Sequence, residues 1–106
     1  MILHIVSRSA WEAARTAGTY RAESLDSEGF IHFSRWSQLA ATAARYYAGV
    51  SELVVLVVDE GELDDLRVEL SQSTGETFPH LYEPLPVSAV VEVMPLEDAL
   101  ARAAAG

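Results

Sequence analysis

The chain has no cysteine among its 106 residues, which excludes disulfides, thiolate metal sites and cysteine nucleophiles. Lysine is also absent, all seven basic residues being arginines, so neither Schiff-base chemistry nor a P-loop lysine is available. The longest apolar run, Leu53 to Val58, falls far short of the roughly 20 residues that span a bilayer. No basic stretch precedes an apolar core at the N-terminus, so it does not read as a signal peptide. These absences together fit a protein of the reducing cytoplasm. No GxGxxG, GxSxG or HExxH string occurs, and no HxH or HxxxH pair offers close-spaced metal ligands.

What remains is acidic and ordinarily apolar. Sixteen acids against seven arginines give a formal charge of −9, which keeps a protein soluble and repels phosphate over the surface as a whole. A broad nucleic-acid surface and a membrane partner are therefore not expected, and an anionic ligand needs a local cluster of arginines. Half the residues are hydrophobic, and at this length they supply one core, so residues 1–106 read as a single domain.

Periodicity orders the elements. Residues 1–6 form a strand with Leu3 and Ile5 on one face and Ile2, His4 and Val6 on the other. Ser9 and Glu12 stand at capping-box spacing for a helix that runs to Ala17 and stops at Gly18. A short strand over 19–22 and a turn over 24–29 lead to a strand over Phe30–Ser34, with Ser34 placed to cap a helix over 36–48. Leu53 to Val58 is β-branched almost throughout and predicts a central strand buried on both faces. An acidic turn follows, then an edge strand over 67–70 and a polar loop over 71–77. Residues 78–86 hold three prolines in nine positions, which argues against a central strand, yet Phe78, Leu81, Tyr82 and Leu85 require that the segment pack on the body. A strand over 87–94 and a helix over 96–104 close the chain. The pattern is α+β with a mostly antiparallel or mixed sheet.

Three histidines carry the candidate chemistry. His4 and His32 sit in strands, and if those strands are neighbours the two rings and the Ser34 hydroxyl share one face. His80 lies in the proline-bound segment, where a stiff backbone holds a side chain in place. A strand histidine can be a satisfied core residue, a metal ligand or a general acid–base group, and the spacing leaves all three open, with metal the least supported. Arg8, Arg21 and Arg35 flank the same elements and could hold a phosphate, although an isolated arginine is more often a solvated surface group.

Several strings then occur in order: the opening HI strand, WEAA (Trp11–Ala14), Gly18-Thr-Tyr20, SLDSEGFIHFS (Ser24–Ser34) and FPHLYEPLP (Phe78–Pro86). Together they resemble the bacterial family numbered 952 among domains of unknown function, over nearly the whole chain. Phe33 and Glu83 depart from it, standing where cysteine and glycine are frequent, so Glu83 is not taken as a catalytic acid. The family in turn resembles the ADP-ribosyltransferase superfamily and its RNA 2′-phosphotransferase branch. That resemblance implies a split, mixed β-sheet with flanking helices and a cleft for the nicotinamide-ribose of NAD between two half-sheets. It further implies a transferase that moves ADP-ribose or cleaves the nicotinamide–ribose bond. His4 and His32 become the expected catalytic pair, orienting ribose hydroxyls. Arg8, Tyr20, Ser34, Arg35, His80 and Tyr82 become the expected ligand contacts, with Tyr20 or Tyr47 stacking on a ring. The catalytic glutamate of that superfamily has no clear counterpart; Glu92 lies in a strong strand and Glu69 in a weaker one. A nucleotide-binding module without turnover, and an interaction domain with buried histidines, are the alternatives.

Overall fold

The computed structural model describes residues 1–106 as two three-stranded antiparallel sheets with four helices. β1 (Ile2–Ser7) pairs with β4 (Leu53–Val58), which pairs with β8 (Val90–Pro95), so the β-branched run is the middle strand and is buried along its length, as its composition requires. The second sheet has the order β3-β6-β5, from Ile31–His32, Thr77–Leu81 and Leu66–Leu70. A two-residue ribbon of β2 (Thr19–Tyr20) and β7 (Leu85–Pro86) closes one end. Every strand pair is antiparallel, so the mixed sheet expected from the sequence gives way to an antiparallel one, divided in two.

Alternation on β1 and β4 divides the apolar residues between two layers. Ile2, Val6, Val54, Leu56 and Val58 face a core completed by Trp11 and Ala14 of α1 (Arg8–Ala17), by Ile31 and Phe33, and by Leu81 and Leu85. Leu3, Ile5, Val55 and Val57 face the opposite way, onto Leu39 and Ala43 of α3 (Leu39–Tyr46) and Ala99 of α4 (Leu96–Ala105). One strand pair thus anchors both layers, which is why β1 and β4 carry so few polar residues. No helix is long and apolar enough to cross a membrane.

Four local expectations are corrected. The cap of α1 is Ser7, whose hydroxyl accepts the Ala10 amide at 3.2 Å, and Ser9 lies inside the helix. Residues 23–27 form a short helix, α2 (Glu23–Ser27), in place of an open turn. Ser34 caps nothing: Arg35 precedes the 3₁₀ turn at Trp36–Gln38, and the Ser34 hydroxyl bonds instead to that of Thr42 at 3.1 Å.

The fourth is the proline-bound segment, whose first half is β6, the middle strand of its sheet. Pro79 is tolerated there because its missing amide faces the place where β3 ends. The Pro79 carbonyl accepts the Phe33 amide at 3.0 Å, no amide returns the bond, and the β3–β6 ladder stops at His32–His80. At Gly18 the expectation holds: its φ of 90° is the left-handed turn that releases the chain from α1 into β2.

Candidate functional site

The two sheets meet at one point. Leu3 and Ser34 exchange both backbone hydrogen bonds at 2.8 Å, forming an isolated antiparallel bridge between β1 and the end of the β3 segment. The next rung of such a ladder would join Ile5 to His32. It does not form. Instead His4 Nδ1 lies 2.6 Å from the His32 carbonyl, and the sheets separate from there. A carbonyl only accepts, so Nδ1 carries the proton and Nε2 presents a lone pair. The Tyr20 hydroxyl donates to that lone pair at 3.0 Å.

Electrostatics agree with this direction. Burial pushes the His4 imidazole down to about 4, against a smaller opposing effect of its bond to the His32 carbonyl, so the ring is neutral at pH 7. Burial, with a smaller contribution from Tyr47, pushes the Tyr20 phenol up to about 12, so it remains a donor. His4 also packs against Phe33, ring centroids 5.5 Å apart.

The expected shared face for His4 and His32 is therefore corrected. Parity from the Leu3–Ser34 bridge sets His4 beside Phe33 and places His32 on the other side of the sheet. What joins the two histidines is the His4 ring and the His32 backbone.

His32 meets His80 instead. The two are direct cross-strand partners, with ring centroids 5.3 Å apart and edge to face. Phe30 stacks on His80 at 4.1 Å. His80 Nδ1 lies 2.9 Å from Glu69 Oε1, and the same oxygen accepts the Tyr82 hydroxyl at 2.5 Å. The Tyr82 bond, and then that from His80, hold the Glu69 carboxyl below the usual carboxylate range. An ionised carboxylate only accepts, so His80 donates through Nδ1, and its Nε2 has no protein partner. His32 repeats the arrangement more loosely, its Nε2 lying 3.1 Å from Glu28 Oε2. Arg67, opposite His80 on β5, covers the Tyr82 ring at 4.0 Å and pairs with Asp65.

A groove of about 1100 Å³ runs along the split. Of the residues picked out in the sequence, His4, His32, His80, Tyr20, Ser34 and Tyr47 line it. Arg8 and Arg35 do not: Arg8 faces Glu52 at 3.6 Å, and Arg35 donates to the Thr77 carbonyl at 2.8 Å. Arg21 is paired with Asp26. Tyr82 lies behind His80, on Glu69. Glu92 binds Arg102 of α4, away from the groove, and Glu83 clamps the turn before β5 by accepting the Asp64 and Asp65 amides.

Sequence reasoning missed Arg45, which lines the groove without an ion-pair partner, along with Thr42 and Gln38. It also missed the Glu28–His32 and Glu69–His80 pairs. The first was not legible, because Glu28 follows the end of α2 and His32 lies in a strand, where helical spacing does not apply; the second was legible as alternation in two strands once β6 is read as a strand. A second hollow of about 640 Å³ between α3 and α4 holds no histidine, arginine or carboxylate.

Residues 5–93 match the family model described as a protein of unknown function, DUF952. The chain belongs to the DUF952 family. Its fold is similar to that of CC0527 from Caulobacter crescentus, whose crystal structure is 38% identical with a TM-score of 0.84 over 94% of this chain and 97% of that one. The crystal structure of a double mutant of CC0527 superposes equally well, at 37% identity over the same shares of both chains. The solution structure of CC0527 gives 41% identity and a TM-score of 0.77 over 89% of this chain and 82% of that one. No curated protein matches this DUF952 chain.

Proposed function

We propose that the groove along the split binds a ribose-bearing ligand of the NAD or phosphorylated-ribose class. The observation that carries this reading is the broken ladder. Beyond the Leu3–Ser34 bridge, strand alternation turns the amide and carbonyl of Ile5 into the split, where the His4 side chain has taken the β3 carbonyl they would have faced. Ile5 lines the groove. A backbone donor and acceptor side by side are the complement of a primary carboxamide, which nicotinamide carries.

The groove's other groups suit the rest of such a ligand. The Ser34 and Thr42 hydroxyls meet ribose hydroxyls, and Arg45 meets a phosphate. The lining also holds Glu23, Glu28 and Glu76, so one arginine faces three carboxylates. That balance favours a cationic ring in the groove and disfavours a carboxylate on it.

The reading is tested by thermal unfolding in NAD and in its deamidated acid analogue, each at millimolar concentration. NAD raises the midpoint, by about 10 °C at a hundredfold excess over Kd. The acid analogue raises it by much less. Equal shifts would remove the carboxamide argument; no shift with NAD, ADP-ribose or a 2′-phosphorylated nucleotide would remove the ligand class.

A further inference from the structure

We infer that His80, held by Glu69, is the general base of this groove, taking a proton from the water that attacks the anomeric ribose carbon of an NAD-class ligand; the inference rests on the reading above. Of the two carboxylate-bonded histidines, His80 is the better fixed. Its side chain is 12% exposed against 52% for His32. Phe30 stacks on its ring, and Glu69 is itself anchored by the Tyr82 hydroxyl. Two contacts, the Glu69 bond and the Phe30 stack, thus define where the ring lies, while its Nε2 has no protein partner and His80 lines the groove. A fixed imidazole with one nitrogen bonded to a carboxylate and the other bare is organised to accept a proton.

The step balances with a base alone. The water oxygen forms a bond to the anomeric carbon, and the bond from that carbon to the nicotinamide nitrogen breaks. Its electron pair stays on the nitrogen and cancels the ring's positive charge, so the leaving group needs no acid. The proton ends on His80 Nε2, where the Glu69 carboxylate stabilises the imidazolium. The Glu69 carboxylate acts through the histidine, as a positioning residue.

The experiment measures nicotinamide release from NAD by the wild-type chain and by H80A, H80Q, E69Q, E69D and H32A, with NAD-dependent midpoint shifts on the same samples. The wild type releases nicotinamide. H80A and H80Q lose about 10²-fold or more in kcat with KM changed only a few-fold, and the midpoint shift persists. Added imidazole restores part of the H80A rate. E69Q lowers kcat with KM changed only a few-fold, and E69D recovers part of that loss, as expected of a residue that positions the base. The polar groups around His80 are His32 and Glu28 from the β3 side, Glu69 and Arg67 from β5, and Tyr82 just beyond its own strand. H32A loses less than tenfold.

Release that survives in both His80 variants overturns the proposal. A midpoint shift with no release from the wild type also overturns it and leaves a binding module. Absence of both shift and release overturns the ligand reading as well.

Discussion

The Tyr20 hydroxyl donates to His4 Nε2 at 3.0 Å, a direction fixed from the far side of the ring, where Nδ1 is committed to the His32 carbonyl. One imidazole therefore ties together β1, β2 and β3 at the point where the two sheets part. Its loss leaves two buried polar groups without partners, whatever happens in the groove.

Replacing His4 by Phe keeps most of the volume and removes both bonds. The expected cost is about 2–4 kcal/mol of unfolding free energy, from an orphaned carbonyl and an orphaned hydroxyl. Adding Tyr20→Phe removes one of the orphans, so the double variant loses less than the sum of the two single ones. Urea unfolding of the four proteins gives the coupling, and strict additivity would show that the His4–Tyr20 bond carries no stability.

The depressed imidazole makes stability depend on pH in a defined window. With His4 at about 4 when folded and near 6.5 when unfolded, the unfolded chain binds the extra proton between those values. Stability is unaffected by His4 above about pH 6.5, falls as pH drops towards 4, and by then has lost about 3 kcal/mol. The glutamates Glu69 and Glu92, lowered by their hydrogen-bond partners, act the same way at lower pH, below the ordinary carboxylate range. Unfolding free energy measured from pH 7.5 to 4.5 falls in the wild type and stays flatter in His4→Phe. Identical slopes would mean that His4 takes up its proton as readily in the fold as in the unfolded chain.

Gly18→Ala tests the exit from α1. Nothing lies within 4 Å of the added methyl, so the cost is the strain of a φ of 90° alone, about 1 kcal/mol. A melting curve that matches the wild type would mean that the turn relaxes.

Leu56 is fully buried in the middle strand and faces the core between the sheets. Leu56→Ala costs about 2–5 kcal/mol by cavity formation. Val91, exposed on the outer strand, changes stability by less than about 0.5 kcal/mol when replaced by Ala. Comparable losses at the two positions would contradict the assignment of β4 as the shared wall of both cores.

Legibility in the sequence followed the strength of local signals. β4 and α4 were readable from a β-branched run and an alanine-rich run, and Gly18 from its position at a helix end. β6 was not, because Pro79 argues against a central strand and only the end of β3, a tertiary fact, removes the conflict. The expected pairing of the His4 and His32 side chains on one face was wrong. Alternation within a strand fixes a face only relative to that strand, and the register between β1 and β3 is set by one bridge at Leu3–Ser34. Arg45 stood on a helix with no sequence mark separating it from the other arginines.

The central claim, a ribose-bearing ligand in the split, is tested most directly by backbone amide NMR of the wild-type chain titrated with NAD. The account predicts saturable shifts at Ile5, Ser34, Thr42 and Arg45, residues from β1, the β3 end and α3 that meet only along this groove. No shifts at millimolar NAD, or shifts confined to Leu96, Leu100 and the hollow between α3 and α4, would contradict it.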